Sequence, residues 1–319
     1  MLALALSLAL SSSAASPQVR LAPAAARPGD AVLVSVEAAP EAPPRGTLAG
    51  RPLSFWREGG AWRALAALPL ETRVGEVPVD VETRADHASA RLAIVEPGFP
   101  SKEIRGVPEK FVAPPPAVKA RIDADRAAVA KAYARPFGPP LFRRGFAWPR
   151  EAPLSGRFGD QRVLNGEKAT VHYGTDVTGP RGAPVLAAND GVVALVRDAY
   201  LSGNTVILAH GAGVFTAYFH LDRIDVRPGQ PVARGARIGR LGATGRATGP
   251  HLHWSARVDG LYIDPESLLA IDFRLATAPA RALQWRCGPV ERPVEPTTPS
   301  RSPWWTFAPG CTSRRSMWK

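Results

Sequence analysis

Short runs of apolar residues, separated by turn residues, fill the first third of the chain. Examples are residues 31–36 (AVLVSV), 52–56 (PLSFW) and 90–95 (ARLAIV). Apolar runs of this length between glycine- and proline-containing turns are typical of strands rather than helices. The pattern over residues 17–95 therefore predicts a small Ig-like β-sandwich.

The pattern changes after residue 95. Residues 96–150 are rich in proline and form a predicted connector, in which residues 117–134 carry apolar side chains at helical spacing. Residues 151–270 return to short apolar runs between glycine turns, which predicts an antiparallel β domain with almost no helix. Residues 271–319 have no period, so we expect a disordered tail. The predicted fold class is therefore mainly β, with two β domains and a short helical connector.

The first sixteen residues have the composition of a targeting segment. Residues 1–10 are almost entirely leucine and alanine, and serine and alanine follow them. The run is shorter than the ~20 residues that span a bilayer. We expect a signal peptide over residues 1–16, cleaved near the small residues 13–15, although no basic residue precedes the run. Export to the periplasm or the cell exterior follows, with no stable membrane insertion after cleavage.

The chain is strongly basic, with a formal net charge of +12 and a pI of about 10.5. Such a charge favours an anionic partner, which could be a nucleic acid, a membrane surface or an acidic wall polymer. We do not expect a nucleic-acid partner, because the sequence carries no zinc finger, helix-turn-helix or aromatic RNA-binding signature. The charge is equally compatible with a soluble basic surface.

Cysteine is rare and confined to the end of the chain, at Cys287 and Cys311. In an exported protein two cysteines can form one disulfide. Two free thiols are the alternative, and the sequence leaves both open.

Histidine is scarce, and five of the six histidines lie between residues 172 and 253. His172 and Asp176 are four residues apart, and His251 and His253 are two apart. If each segment is an extended strand, the even spacing places the paired side chains on one face. Gly174 would then leave room between His172 and Asp176 for a metal ion. We assign the remaining pair, His87 and His210, to structural roles.

A catalytic zinc site typically has three nitrogen or oxygen ligands from the protein and a water in the fourth position. His172, Asp176 and one histidine of the 251/253 pair would satisfy this requirement. The other member of the pair and His220 could then transfer protons, which is the usual role of histidine near neutral pH. The residues alone therefore predict metal-assisted hydrolysis.

The segment from about 151 to 268 resembles the LytM/lysostaphin-type zinc endopeptidases, peptidase family M23. The matching stretches are residues 156–159 (GRFG), 172–176 (HYGTD), 182–191 (GAPVLAANDG), 218–221 (YFHL) and 245–254 (GRATGPHLHW). The resemblance implies that His172, Asp176 and His253 bind Zn²⁺. It also implies that His220 and His251 act on the water and the transition state. Which of these two histidines is the general base is left open.

The same resemblance implies peptidoglycan peptide as the substrate and cell-wall remodelling as the role, with the protein acting as a monomer. The bond could be a stem-peptide cross-link or a bridge. One alternative is a catalytically inactive envelope scaffold that activates another murein hydrolase, but all five site positions are present. A biotinyl or lipoyl carrier module is a second alternative. It requires a lysine at a hairpin tip, and Lys168, the only lysine between residues 151 and 270, lies outside that pattern.

Overall fold

The structure is a computed structural model that describes residues 17–37, 42–84, 86–166 and 168–273. The predicted signal peptide, nearly all of the predicted tail and both cysteines lie outside these residues. Within them, no helix combines the length and apolarity needed to cross a bilayer.

The N-terminal region consists of strands in two facing sheets. The strands are β1 (Gln18–Ala22), β2 (Ala25–Ala26), β3 (Ala31–Glu37), β4 (Arg45–Leu48), β5 (Arg51–Pro52), β6 (Trp56–Glu58), β7 (Ala61–Ala67), β8 (Gly75–Glu82) and β9 (His87–Ile94). The sheets have the orders β1-β3-β7-β6 and β2-β9-β8-β4-β5. Val32 and Val34 of the first sheet share an apolar core with Val79 and Leu92 of the second, so the two sheets pack face to face. That this region is an Ig-like β-sandwich stays a prediction.

The two central strands of the first sheet, β3 and β7, are buried on both faces. Successive side chains of a strand point to opposite sides, and those of β3 accordingly divide between two cores. Val32 faces the sandwich, whereas Leu33 belongs to the same apolar cluster as Trp254 and Val258 of the C-terminal region. The side chains of β7 divide in the same way, and Leu65 packs in the apolar cluster that contains Trp254. The two β regions therefore meet through a continuous apolar core.

The predicted connector is partly regular. It contains β10 (Ser101–Ile104), α1 (Glu109–Val112), a 3₁₀ turn (Pro116–Val118) and α2 (Lys119–Tyr133). Helix α2 confirms the helix expected over residues 117–134. The 3₁₀ turn before it begins with Pro116, a residue that the first turn of a helix tolerates. Val129 and Tyr133 of α2 pack against Ile207 and Phe215, so the helix covers one face of the C-terminal region.

The C-terminal region is built around one large antiparallel sheet. Its elements are β11 (Leu154–Gly156), β12 (Gln161–Leu164), β13 (Lys168–Val171), β14 (Thr175–Thr178), β15 (Pro184–Leu186), β16 (Gly191–Ala199), β17 (Gly203–Ala209), β18 (Val214–Ile224), β19 (Pro231–Val232), β20 (Arg237–Leu241), β21 (His251–Val258), β22 (Leu261–Ile263) and α3 (Pro265–Ala270). The main path is β11-β14-β21-β18-β17-β16-β19, with β20 beside β18 and β22 beside β21. The predicted antiparallel domain is confirmed.

Two features of this topology position the candidate site. The register of the central strands places His253 of β21 between Asp176 of β14 and Phe219 of β18. Strands β12 and β13 form a separate sheet with β10, in which β12 is the middle strand and runs parallel to β10. The connector therefore contributes a strand beside the site.

Candidate metal centre

Three side chains bring one donor atom each to a common point. His172 Nε2 lies 3.0 Å from Asp176 Oδ1 and 2.9 Å from His253 Nδ1. The third separation, from His253 Nδ1 to Asp176 Oδ1, is 2.9 Å. Two histidines and one aspartate therefore form a group that could hold a metal ion, with one donor atom from each residue. Two imidazole nitrogens and one carboxylate oxygen are a ligand set of catalytic zinc sites.

The 172–176 segment does not have the geometry expected from its spacing. We predicted one extended strand, but β13 ends at Val171 and β14 begins at Thr175, so His172 and Asp176 lie on either side of a bend. The side chains meet because the chain turns, and not because they share a strand face.

Gly174 lies in this bend and leaves room for a ligand side chain. A Cβ atom at this position would come within 2.6 Å of both His253 Nε2 and the Trp254 carbonyl oxygen. Real Cβ atoms do not approach other atoms this closely, and the backbone carbonyl cannot easily move. The space that we predicted for the metal is therefore occupied by the His253 ring.

The 251–253 segment behaves as predicted. Both histidines are on β21, and Leu252 between them is fully buried in the apolar core on the other face. The His253 ring stacks on Phe219 with a centroid separation of 5.1 Å and an interplanar angle of 3°. Register, stacking and the absence of a side chain at position 174 together fix this ring.

Backbone and side-chain contacts orient the other two donors. His172 Nδ1 lies 2.7 Å from the Arg157 carbonyl oxygen, to which it donates, so Nε2 is left unprotonated for a metal. Arg162 Nη2 donates to Asp176 Oδ2 at 2.8 Å, which leaves Oδ1 for the metal. Gly156 permits this contact, because a Cβ there would lie 2.1 Å from Arg162 Nη2.

Sequence reasoning missed Arg162. Arginine is scattered along the whole chain, and nothing in its spacing from His172 or Asp176 distinguishes this one. Gly156 belongs to the GRFG stretch, but no local sequence pattern indicates that the Arg162 guanidinium packs against it.

His220 and His251 lie beside the three donors. Their ring centroids are 4.9 Å apart, and His251 Nε2 is 3.8 Å from Asp176 Oδ1. His220 Nδ1 donates to the Thr244 carbonyl at 2.8 Å, and His251 Nδ1 donates to the Gly249 carbonyl at 2.9 Å. Each ring therefore has one nitrogen fixed by the backbone and keeps Nε2 for chemistry.

The backbone at His220 has a left-handed conformation, with φ of 60°. The pairing of β18 with β17 shifts register between Tyr218 and Leu221, as at a β-bulge. A bulge redirects a side chain that regular alternation would send elsewhere. It brings His220 to the same groove as His251.

Burial controls the protonation of these groups. Burial raises the pKa of Asp176, but its close polar contacts with His172 and His253 outweigh burial and hold the pKa well below its usual range. Burial lowers the pKa of His253 to about 4. It lowers the pKa of His220 to about 3, and the neighbouring rings of His251 and His253 add to this effect. Neutral imidazoles and an ionised carboxylate are the forms that bind a metal or accept a proton.

The donors open into a groove of about 470 Å³. Tyr173 and Tyr262 line it, with their ring centroids 5.2 Å apart. Tyr173 is 43% exposed although it is adjacent to the buried His172. An extended substrate in the groove would therefore meet an aromatic surface beside the metal.

The two remaining histidines are outside the site, as expected. His87 is exposed on β9 of the sandwich. His210 is fully buried at the end of β17 and closes the hairpin to β18, because its backbone N–H donates to the Val214 carbonyl.

The sequence matches known proteins over the same region. The family model for peptidase family M23 matches residues 170–265. Peptidoglycan DD-endopeptidase ShyA of Vibrio cholerae is 47% identical over 94 residues, which are 30% of this chain and 22% of ShyA. Peptidoglycan DD-endopeptidase ShyB of the same organism is 41% identical over 120 residues, which are 38% of this chain and 26% of ShyB. The chain thus matches about a quarter of the length of these relatives.

A solved structure extends the similarity to the N-terminal region. A peptidase M23 from Pseudomonas aeruginosa is 31% identical, with a TM-score of 0.59, over 76% of this chain and 94% of that one. The alignment is longer than residues 151–273, so it includes part of the sandwich or connector. Together with the family match and the His-Asp-His cluster, it shows that the chain belongs to peptidase family M23, a family of zinc metallopeptidases.

Proposed function

We propose that this protein is a zinc-dependent endopeptidase that hydrolyses peptide bonds of peptidoglycan. The observation that carries the proposal is the convergence of three donor atoms within 3.0 Å, beside two histidines that each keep one ring nitrogen free. The V. cholerae relatives, by their names, act on peptidoglycan as DD-endopeptidases, which favours a stem-peptide cross-link over a bridge. The protein would act as an exported monomer in the cell envelope.

His172, Asp176 and His253 are the proposed metal ligands. Zinc bound by them would polarise the scissile carbonyl and lower the pKa of a bound water. Arg162 and the Arg157 carbonyl would keep the carboxylate and the first imidazole in position, as contacts behind metal ligands generally do.

His220 and His251 are the proposed proton-transfer residues. Each holds a proton on Nδ1 through a backbone carbonyl and can accept another at Nε2. One of them takes the proton of the attacking water, and a protonated imidazole can then donate to the leaving amine. An inactive scaffold would have no need for these two groups, and their retention favours an enzyme.

The test compares three histidine-to-alanine variants for bound zinc and for release of muropeptides from purified sacculi. We expect His253→Ala to lose both zinc and activity, because two protein donors hold zinc weakly. His251→Ala should keep stoichiometric zinc and lose most activity. His87→Ala, which removes an exposed histidine of the sandwich, is the matched control and should resemble the wild type.

Two outcomes would contradict the proposal. Stoichiometric zinc in His253→Ala would disprove the ligand assignment. If the wild type released no chelator-sensitive product from any type of sacculus, the scaffold alternative would be favoured. Separating the released muropeptides would identify the bond.

A further inference from the structure

The groove beside the metal centre has an excess of positive charge. Lys102, Arg162 and Arg246 line it, whereas Asp176 is the acidic residue that the structure describes there. Because Asp176 is a proposed metal ligand, its charge would be shared with the ion. The groove therefore presents cations to whatever binds in it.

The three cations differ in their partners. Lys102 Nζ donates to the Ser155 carbonyl at 2.9 Å. Arg162 donates to Asp176, and its buried Nε has no partner among the described residues. The Arg246 side chain makes no hydrogen bond or ion pair with any described residue, although it is only partly exposed. Arg246 is thus the groove cation with its guanidinium wholly available.

The backbone of Arg246 is held firmly beside the catalytic histidines. It lies between β20 and β21, and its N–H donates to the Leu201 carbonyl at 2.7 Å. Thr244, two residues earlier, provides the carbonyl that orients His220, and its hydroxyl donates to the Leu221 carbonyl. The loop that fixes a proposed proton-transfer group therefore also fixes the position of Arg246.

The electrostatic setting of Arg246 is unfavourable in the free protein. Burial lowers its pKa, and the positive charge of Arg162 lowers it further. A carboxylate entering the groove would compensate both charges. A guanidinium can bind a carboxylate through two parallel hydrogen bonds, which gives this contact direction as well as strength.

We propose that Arg246 binds a carboxylate of the substrate, so that the enzyme selects peptides with a free carboxylate near the scissile bond. The inference rests on the proposed function and specifies its substrate class as anionic peptides. Arg246 is a substrate-binding residue in this proposal, whereas Arg162 is primarily a positioning residue for Asp176. The carboxylate could be the α-carboxylate at a chain end or one on a side chain.

The experiment uses cross-linked muropeptide dimers purified from sacculi and the same dimers with their carboxylates converted to amides. The readout is the ratio of kcat/KM for the free and amidated dimers. We expect the wild type to prefer the free dimer, and Arg246→Gln to lower this ratio about tenfold, mainly through KM. Arg246→Lys should retain part of the preference, because it keeps the charge without the planar fork. Dimers amidated only at the terminal α-carboxylate distinguish the two sources.

Arg237→Gln is the matched control, since it removes an exposed arginine of β20 that pairs with Asp225 away from the groove. It should keep the wild-type ratio. Equal kcat/KM for the two dimers in the wild type, or an unchanged ratio in Arg246→Gln with zinc retained, would overturn the carboxylate contact and leave the peptidase proposal intact. If the wild type cleaves neither dimer nor any sacculus, the proposed function is wrong and this inference falls with it.

Discussion

Two buried histidines, His210 in the hairpin before β18 and His220 within β18, are used differently. At the hairpin that precedes the strand, His210 Nδ1 donates to the Asp190 carbonyl at 2.7 Å, and Nε2 accepts from the Thr216 hydroxyl at 2.7 Å. At the groove, His220 Nδ1 donates to the Thr244 carbonyl, and its Nε2 has no hydrogen-bond partner among the described residues. Both rings are buried, so burial does not distinguish a structural histidine from a proposed proton-transfer residue. The difference is the ring nitrogen of His220 that is left without a hydrogen bond to the described residues.

The backbone shows the same contrast. His220 has the left-handed conformation, which costs roughly 1–3 kcal/mol for a residue other than glycine and is concentrated at functional sites. His210 is outside the set of described residues with positive φ. The backbone is thus strained at His220 itself and not at His210, which suggests replacing both histidines in the same way.

The largest expected effect is that of His220→Asn on catalysis. Asparagine tolerates the left-handed backbone but lacks a ring nitrogen that can exchange protons near neutral pH. We expect kcat/KM on cross-linked muropeptides to fall roughly 10²–10⁴-fold, the usual contribution of a general acid or base, with zinc retained. Activity within a few-fold of the wild type would assign the proton transfer to His251 alone.

The same substitution in the hairpin before β18, His210→Asn, should lower the stability of the fold and leave catalysis unchanged. It removes a buried ring and its two hydrogen bonds, and we expect the free energy of unfolding to fall by about 2–4 kcal/mol in urea denaturation. The kcat/KM of the remaining folded enzyme should match that of the wild type. A large fall in kcat/KM without a loss of stability would contradict the structural role that we assign to His210.

The smallest effect concerns pH. Burial lowers the pKa of His210 from 6.5 to about 4, so the unfolded chain takes up a proton that the folded chain resists. This stability is fully present above pH 6.5 and is lost as the pH falls towards 4. The contribution is at most ~1.4 kcal/mol per pH unit. His210→Asn should lack it, so the difference in unfolding free energy between wild type and variant should shrink as the pH falls, measured with chelator present. A difference independent of pH would show that folded and unfolded chains take up the proton on His210 equally well, which contradicts the lowered pKa.

Local sequence patterns predicted the parts of the site that depend on nearby residues. The alternation of β21 gave the correct faces for His251, Leu252 and His253. The same rule failed for His172 and Asp176, because a bend at Gly174 interrupts the strand. The two side chains still meet, since a turn can bring residues four apart together as well as a strand face can.

Contacts between distant residues were not predictable in the same way. The pairing of β10 with β12 joins segments about 60 residues apart, and no local pattern marks it. The burial of β3 on both faces did have a signal, because strands covered on both sides appear as nearly continuous apolar runs. The stretch AVLVSV at residues 31–36 is such a run, and it indicates a second packing partner that a free-standing sandwich would not need.

The burial of β3 and β7 on both faces also bears on folding cooperativity. Leu33, Trp56 and Leu65 belong to the cluster that contains Trp254, next to the proposed ligand His253. Unfolding the sandwich alone would expose one apolar side of the C-terminal core to water, so neither region can unfold without destabilising the other. The geometry of the proposed metal ligands thus depends thermodynamically on a lobe whose described residues lie outside the donor cluster.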